Sequence, residues 1–143
     1  MGSSHQAMDK DEQAFALERI SLELADPAKG RHLGSSIARL LELHLRELEE
    51  WNYCWVDDLL DQRLQRHTGS LELLAHVVLY KSDEKCWMDP LQAIFSINRR
   101  GRITRYELRF GDQDRPSEPY KLDRKHEPSR HHRWRYRFKK DDA

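Results

Sequence analysis

Near the C-terminus the chain reads Arg133-Trp134-Arg135-Tyr136-Arg137-Phe138-Lys139, a strict alternation of cation and ring. Successive side chains of a β-strand point to opposite faces. A strand therefore collects Trp134, Tyr136 and Phe138 on one side and the cations on the other. A helix, at 3.6 residues per turn, would spread both sets around its axis. The pattern predicts a closing strand with its rings turned to a core, not a disordered basic tail. The same pattern occurs upstream, where Tyr106, Leu108 and Phe110 alternate with Arg105, Glu107 and Arg109.

These two stretches organise the second half of the chain. "LQAIFSI" (91–97), "NRRGR" and "ITRYELRF" (103–110) read as a hairpin around a short glycine-bearing connection. "LELLAHVVLY" (71–80) is apolar and partly β-branched, which predicts a strand in its second half. "KSDEKCWMDP" (81–90) reads as a loop, and residues 111–130 as a long polar connection rich in proline and charge.

The first half reads as helical. Residues 9–25 place Phe15, Leu17, Ile20, Leu22 and Leu24 on a helix whose first turn is acidic, which suits the helix dipole. Asp26-Pro27 ends it, because the residue before proline avoids the helical region. Ser35 or Ser36 is an N-cap for a second segment. From Ile37 to Gln65 no Pro or Gly intervenes, and Ile37, Leu41, Leu45, Leu48, Trp55 and Leu59 form a helical stripe. About thirty residues would span ~45 Å, longer than a small domain is wide. The segment is expected either to kink near Asn52 or to protrude and form a homodimer through this long helix. Gly69 closes it as a C-terminal glycine would.

Helices followed by antiparallel strands make an α+β fold. The expectation is a single domain over residues 9–143, with residues 1–8 as a leader remnant. Two N-terminal helical segments, the second long, pack on a three- to four-stranded antiparallel sheet. The expected core is Ile37, Leu41, Leu45, Leu48, Trp55, Leu59, Val77, Leu79, Phe95, Ile97, Tyr106, Leu108, Phe110, Trp134, Tyr136 and Phe138. With 38% hydrophobic and 35% charged residues, the core is small and the surface crowded with charge. No apolar run approaches the ~20 residues of a membrane helix. No secretory leader pattern is visible. The two cysteines, Cys54 and Cys86, read as thiols of a cytoplasmic protein.

The charge is polarised along the chain. Residues 1–90 carry 10 Lys+Arg against 17 Asp+Glu, a difference of −7, whereas residues 91–143 carry 15 against 8, a difference of +7. Each section can steer a partner of opposite sign. On the acidic side, Glu47, Glu50, Trp51, Asp57, Asp58 and Asp61 are expected on one helical face, with the aromatic ring as an anchor for a basic protein. On the basic side, Arg99, Arg100, Arg102, Arg105, Arg109, Arg133, Arg135 and Arg137 are expected on one sheet face, where guanidinium groups grip phosphate bidentately.

Catalytic and metal signals are weak by comparison. His126, Glu127, His131 and His132 have ligand chemistry but lack the paired cysteines of structural zinc. His44 and Glu47 form no repeated Glu-x-x-His pair. No glycine-rich phosphate loop appears, and neither Ser35, Ser36 and Ser70 nor the cysteines carry a nucleophile signature. Asp57, Asp58 and Asp61 read as a solvated face rather than as an acid–base pair. No metal, no cofactor and no catalysis are expected. The leading expectation is a non-catalytic protein-binding module, an adaptor or an inhibitor of the bacterial immunity-protein type, whose acidic helical face covers a basic partner such as a toxin. The alternatives are a nucleic-acid-binding protein using the arginine face, and a small enzyme or ligand-binding domain with a cleft between helix and sheet.

Overall fold

The computed structural model describes residues 9–25, 33–81, 84–111 and 134–141. Two helices, α1 (Lys10–Ala25) and α2 (Leu33–Arg46), precede five strands. These are β1 (Cys54–His67), β2 (Ser70–Lys81), β3 (Glu84–Ile97), β4 (Ile103–Gly111) and β5 (Trp134–Asp141). They lie in one sheet in the order β1-β2-β3-β4-β5, a meander in which chain neighbours are also sheet neighbours. The fold is α+β. Among the described residues its sheet has five strands rather than three or four, because the stretch expected to end the long helix forms β1, while residues 84–90, expected in a loop, lengthen β3. Two compact units are distinguished, Met1–Asp58 with Leu79–Cys86, and Leu59–Val78 with Trp87–Ala143.

In the first unit, Asp9 caps α1. Its Oδ1 accepts from the backbone N–H of Asp11 at 2.9 Å and of Glu12 at 3.2 Å, satisfying donors the helix cannot. The helix buries Gln13, Ala16, Ile20, Glu23 and Leu24. Phe15 and Leu22, two of the apolar positions of this helix, are exposed. Polar side chains replace them because α2 offers partners: Ser36 Oγ donates to Glu23 Oε1 at 3.2 Å, and Arg39 Nη2 reaches Glu12 Oε1 at 3.0 Å. Those pairs tie the two helices together. Ser36 therefore acts within α2, which starts at Leu33, and not as its cap.

The expected thirty-residue helix is not formed. α2 ends at Arg46, and the chain tightens through bonds of the 3-10 kind, Glu47 N to His44 O at 3.2 Å, Leu48 N to Leu45 O at 3.0 Å and Trp51 N to Leu48 O at 2.9 Å. It then becomes β1 at Cys54. Glu42 ties the two elements together. Its carboxylate is paired with Arg39 and lies 2.9 Å from Arg46 Nη2, while Val56 N donates to its Oε2 at 2.8 Å. Arg46 Nε in turn donates to the Cys54 carbonyl at 3.0 Å. Trp55, expected in the core, instead stacks on Tyr80 of β2 and remains 40% exposed.

In the second unit, Leu71, Leu73, Ala75 and Val77 of β2, Leu91, Ala93 and Phe95 of β3, and Tyr106, Leu108 and Phe110 of β4 are buried. Leu74, His76 and Val78 are buried too, so both faces of β2 are covered there, which accounts for its continuous apolar run. The Thr68-Gly69 link is tight enough to make β1 and β2 antiparallel, and Gly69 adopts φ 76°. The β3–β4 connection follows the expected hairpin. Gly101 sits at φ 80°, and Asn98 Oδ1 accepts from Arg100 N at 2.9 Å and Arg102 N at 3.0 Å. Leu48, Ile97, Tyr136 and Phe138 are half-buried rather than core residues, and the side chain of Trp134 is outside the described residues.

Glu42→Ala strips a carboxylate whose side chain is 9% exposed from two arginines and a backbone N–H. A loss of ~3 kcal/mol in unfolding free energy is expected, the scale for breaking a buried ion pair. Glu42→Gln keeps the acceptor for Val56 and is expected to cost less. Denaturant titration reads both, and an alanine variant within ~0.5 kcal/mol of the parent, the range of ordinary surface changes, contradicts the clamp.

Candidate functional site

Strand register determines which charges meet. β3 pairs with β4 so that Gln92 faces Arg109, Ile94 faces Glu107 and Ser96 faces Arg105. β4 pairs with β5 so that Glu107 faces Lys139 and Arg109 faces Arg137. One face of these three strands thus carries Gln92, Ile94, Ser96, Arg105, Glu107, Arg109, Arg137 and Lys139, with Asp141 at the register position opposite Arg105. The opposite face carries Tyr106, Leu108 and Phe110, with Phe95 beside Tyr106 and Tyr136 beside Phe110 at 6.0 and 5.9 Å between ring centroids. The rings face the core side, as the alternation predicts.

Arg109 and Arg137 stand directly opposite each other, an arrangement that repels. Glu107 resolves it. Its Oε2 lies 2.5 Å from Arg109 Nε and 3.0 Å from Arg137 Nη2, and its Oε1 lies 3.6 Å from Lys139 Nζ. Burial pushes the Glu107 carboxyl up, but hydrogen bonds and charge from Arg109 and Arg137 outweigh it and hold the group below its ordinary value. The network continues across the sheet. Arg109 Nη1 donates to Gln92 Oε1 at 3.3 Å, and Gln92 Nε2 donates to Glu72 Oε2 at 2.7 Å. Arg105 Nε donates to Ser96 Oγ at 3.2 Å.

Among the described residues Glu107 is the carboxylate ion-paired with Arg109, Arg137 and Lys139, while Glu72 takes the Gln92 amide and the register sets Asp141 opposite Arg105. The β3–β4 turn adds Arg99, Arg100 and Arg102, all exposed. None of these three makes an ion pair among the described residues. Each guanidinium carries five N–H donors in a fixed fork and no acceptor, a chemistry suited to anionic oxygens.

Of the expected basic set, the structure brings Arg105, Arg109 and Arg137 together and places Arg99, Arg100 and Arg102 at the adjoining turn. Arg133 and the side chain of Arg135 lie outside the described residues, as do His126, Glu127, His131 and His132. Lys139 joins the face as the alternation of the last strand predicts, and Gln92 and Ser96 join it without having been singled out. The signal was present, since Gln92 and Ser96 alternate with Leu91, Ala93, Phe95 and Ile97 at the same period of two.

The expected acidic set fares differently. With the helix ending at Arg46, no single helical face unites it. Glu47 is exposed, 3.7 Å from His44 Nδ1, and Trp51 is half-buried in the 3-10 turn Glu49–Trp51. Asp57 and Asp58 are exposed on β1, and the side chains of Glu50 and Asp61 are outside the described residues. Cys54 is a buried thiol. Among the described residues no helix is long and apolar enough to cross a membrane.

Comparison with protein families, with curated proteins and with solved structures gives no match to this chain.

Glu107 generates a pH dependence. Its folded-state value is depressed, so its stabilisation is complete above the ordinary value of 4.5 and is lost as pH falls through the lower folded value. The difference in unfolding free energy between the parent and Glu107→Gln is expected to be largest near neutral pH and to shrink below ~4.5. Denaturant titrations across that range test this, and a difference that does not change with pH contradicts the assigned pairing.

Proposed function

We propose that this chain is a non-catalytic binding module that takes the phosphate backbone of a nucleic acid on the face formed by β3, β4 and β5. The observation that carries this reading is the register, which sets Arg109 against Arg137 and gathers Arg105 and Lys139 beside them, with Glu107 paired to Arg109, Arg137 and Lys139. Guanidinium groups bind phosphate oxygens bidentately, and the neighbouring turn extends the cationic surface. The rings of Tyr106 and Phe110 are buried on the opposite side and do not offer a stacking platform. Recognition therefore rests on backbone phosphate, with steep salt dependence and little sequence preference.

Glu107 moderates the face. While it neutralises Arg109 and Arg137, part of the cationic potential is held internally. Phosphate binding competes with that carboxylate for the same donors.

Fluorescence anisotropy with labelled single- and double-stranded DNA and RNA, at ~50 and ~200 mM salt, tests the proposal. Binding is expected to weaken steeply over that range. Arg105→Gln and Arg137→Gln are each expected to reduce the slope of log affinity against log salt by about one. Glu107→Gln is expected to tighten binding. No binding at the lower salt, or slopes unchanged in both arginine variants, overturns the assignment. Binding to polyglutamate but not to nucleic acid reassigns the face to an acidic protein.

A further inference from the structure

In the first unit, Tyr53, Trp55 and Asp57 follow one another at every second position into β1. Tyr53 is 71% exposed and Trp55 40% exposed, two large rings in water on one short stretch. Trp55 is held in place by Tyr80, with ring centroids 5.1 Å apart and planes inclined by 12°. Asp57 is exposed beside them, and Glu47 and Glu49 are exposed just upstream in the chain. An exposed ring held by stacking, with a second exposed ring and a carboxylate at alternate positions along the chain, suits a guanidinium ligand. The ring face attracts the cation, and the carboxylate takes its N–H donors.

We propose that this patch docks the turn Arg99-Arg100-Gly101-Arg102 of a second copy of the chain. Charge complementarity argues for that occupant. The patch lies in the section of the sequence with an excess of seven acids, and the turn in the section with an excess of seven bases. The whole chain is neutral, with a pI near 7.1, so copies do not repel each other by net charge. The turn is also preorganised. Gly101 N donates to Asn98 O at 2.9 Å, and the Asn98 side chain accepts from two further backbone N–H groups. Fixing the turn in advance lowers the entropic cost of docking it. The contact is heterologous, patch to turn, so each copy keeps one unused surface of each kind and association is open-ended. Nucleic acid competes with the second copy for the turn but not for the patch. The inference does not depend on the nucleic-acid reading.

Sedimentation velocity of the full chain over a concentration series, at ~50 and ~500 mM salt, tests it. The average mass is expected to rise with concentration at low salt and to fall to the monomer at high salt. Two variants separate the surfaces. One is Tyr53→Ser with Asp57→Lys, and the other is Arg99→Gln with Arg100→Gln and Arg102→Gln. All five positions are exposed, and circular dichroism checks that both variants fold. Each variant is expected to weaken self-association by about tenfold or more. An equal mixture of the two is expected to recover a dimer that grows no further, because each supplies one intact surface. A monomer at every concentration in low salt overturns the proposal. So does a folded mixture that stays monomeric, or self-association unchanged in either variant.

Discussion

Glu42 is the group on which the first unit turns. In a short span the chain must leave a helix and enter a strand, and neither proline nor glycine forces the change. The nearly buried carboxylate makes it possible by serving both elements at once. It holds Arg39 and Arg46 on its own helix and the Val56 N–H on β1. A charge so placed is costly unless fully paired, and a backbone donor at a strand's start needs an acceptor. Each requirement satisfies the other. Arg46 completes the link by donating to the Cys54 carbonyl, so consecutive turns of α2 fix the entry of β1. That entry determines which residues of β1 point outward, and thereby leaves Trp55 to lie against Tyr80.

The sheet meets an analogous problem with the opposite sign. Arginines on alternate positions of β4 and β5 are forced into register by the pairing that buries their aromatic neighbours. The core decides where the cations go, and Glu107 makes their crowding tolerable. Its position opposite Lys139 and diagonal to Arg137 lets one carboxylate serve three cations. The balance is incomplete, and the surplus charge defines the face.

Period-two patterning is short-range information, and it located β4, β5, the hairpin and the sidedness of Arg105, Arg109 and Arg137. The pairing of Arg109 with Arg137 depends on register and was not visible in either strand alone. The segment 54–67 was misread for a specific reason. Trp55 and Leu59 extend the spacing of Leu41, Leu45 and Leu48, so a strand continued a helical stripe by coincidence. Tertiary pairing with β2 decided the outcome. Asp57 and Asp58, adjacent and both exposed, also break the alternation that would have marked the strand. In α1 the apolar Phe15 and Leu22 are exposed. Burial there went to Gln13 and Glu23, and Glu23 is met by Ser36 and Arg19. An apolar count does not register a buried carboxylate with waiting partners.

The inward turn of the rings also constrains what the basic face can discriminate. Without exposed aromatics, recognition depends on the spacing of the cations, and the sheet fixes that spacing. Arg105 and Arg109, four residues apart on one strand, are separated by ~13 Å along it, while Arg137 lies one strand away from Arg109, ~5 Å across. These separations belong to the backbone and do not adjust to the ligand. Long side chains supply the remaining adaptability, and Glu107 restrains two of them, Arg109 and Arg137. Among the described residues Arg105 is tethered through Ser96, and the turn arginines have no ion pair. The surface therefore grades from internally compensated cations at its centre to uncompensated ones at the turn. Under the proposed nucleic-acid reading, a ligand with evenly spaced charge would meet least resistance at the turn and would have to displace Glu107 to advance, so the carboxylate that steadies the sheet would also limit how tightly the basic face binds.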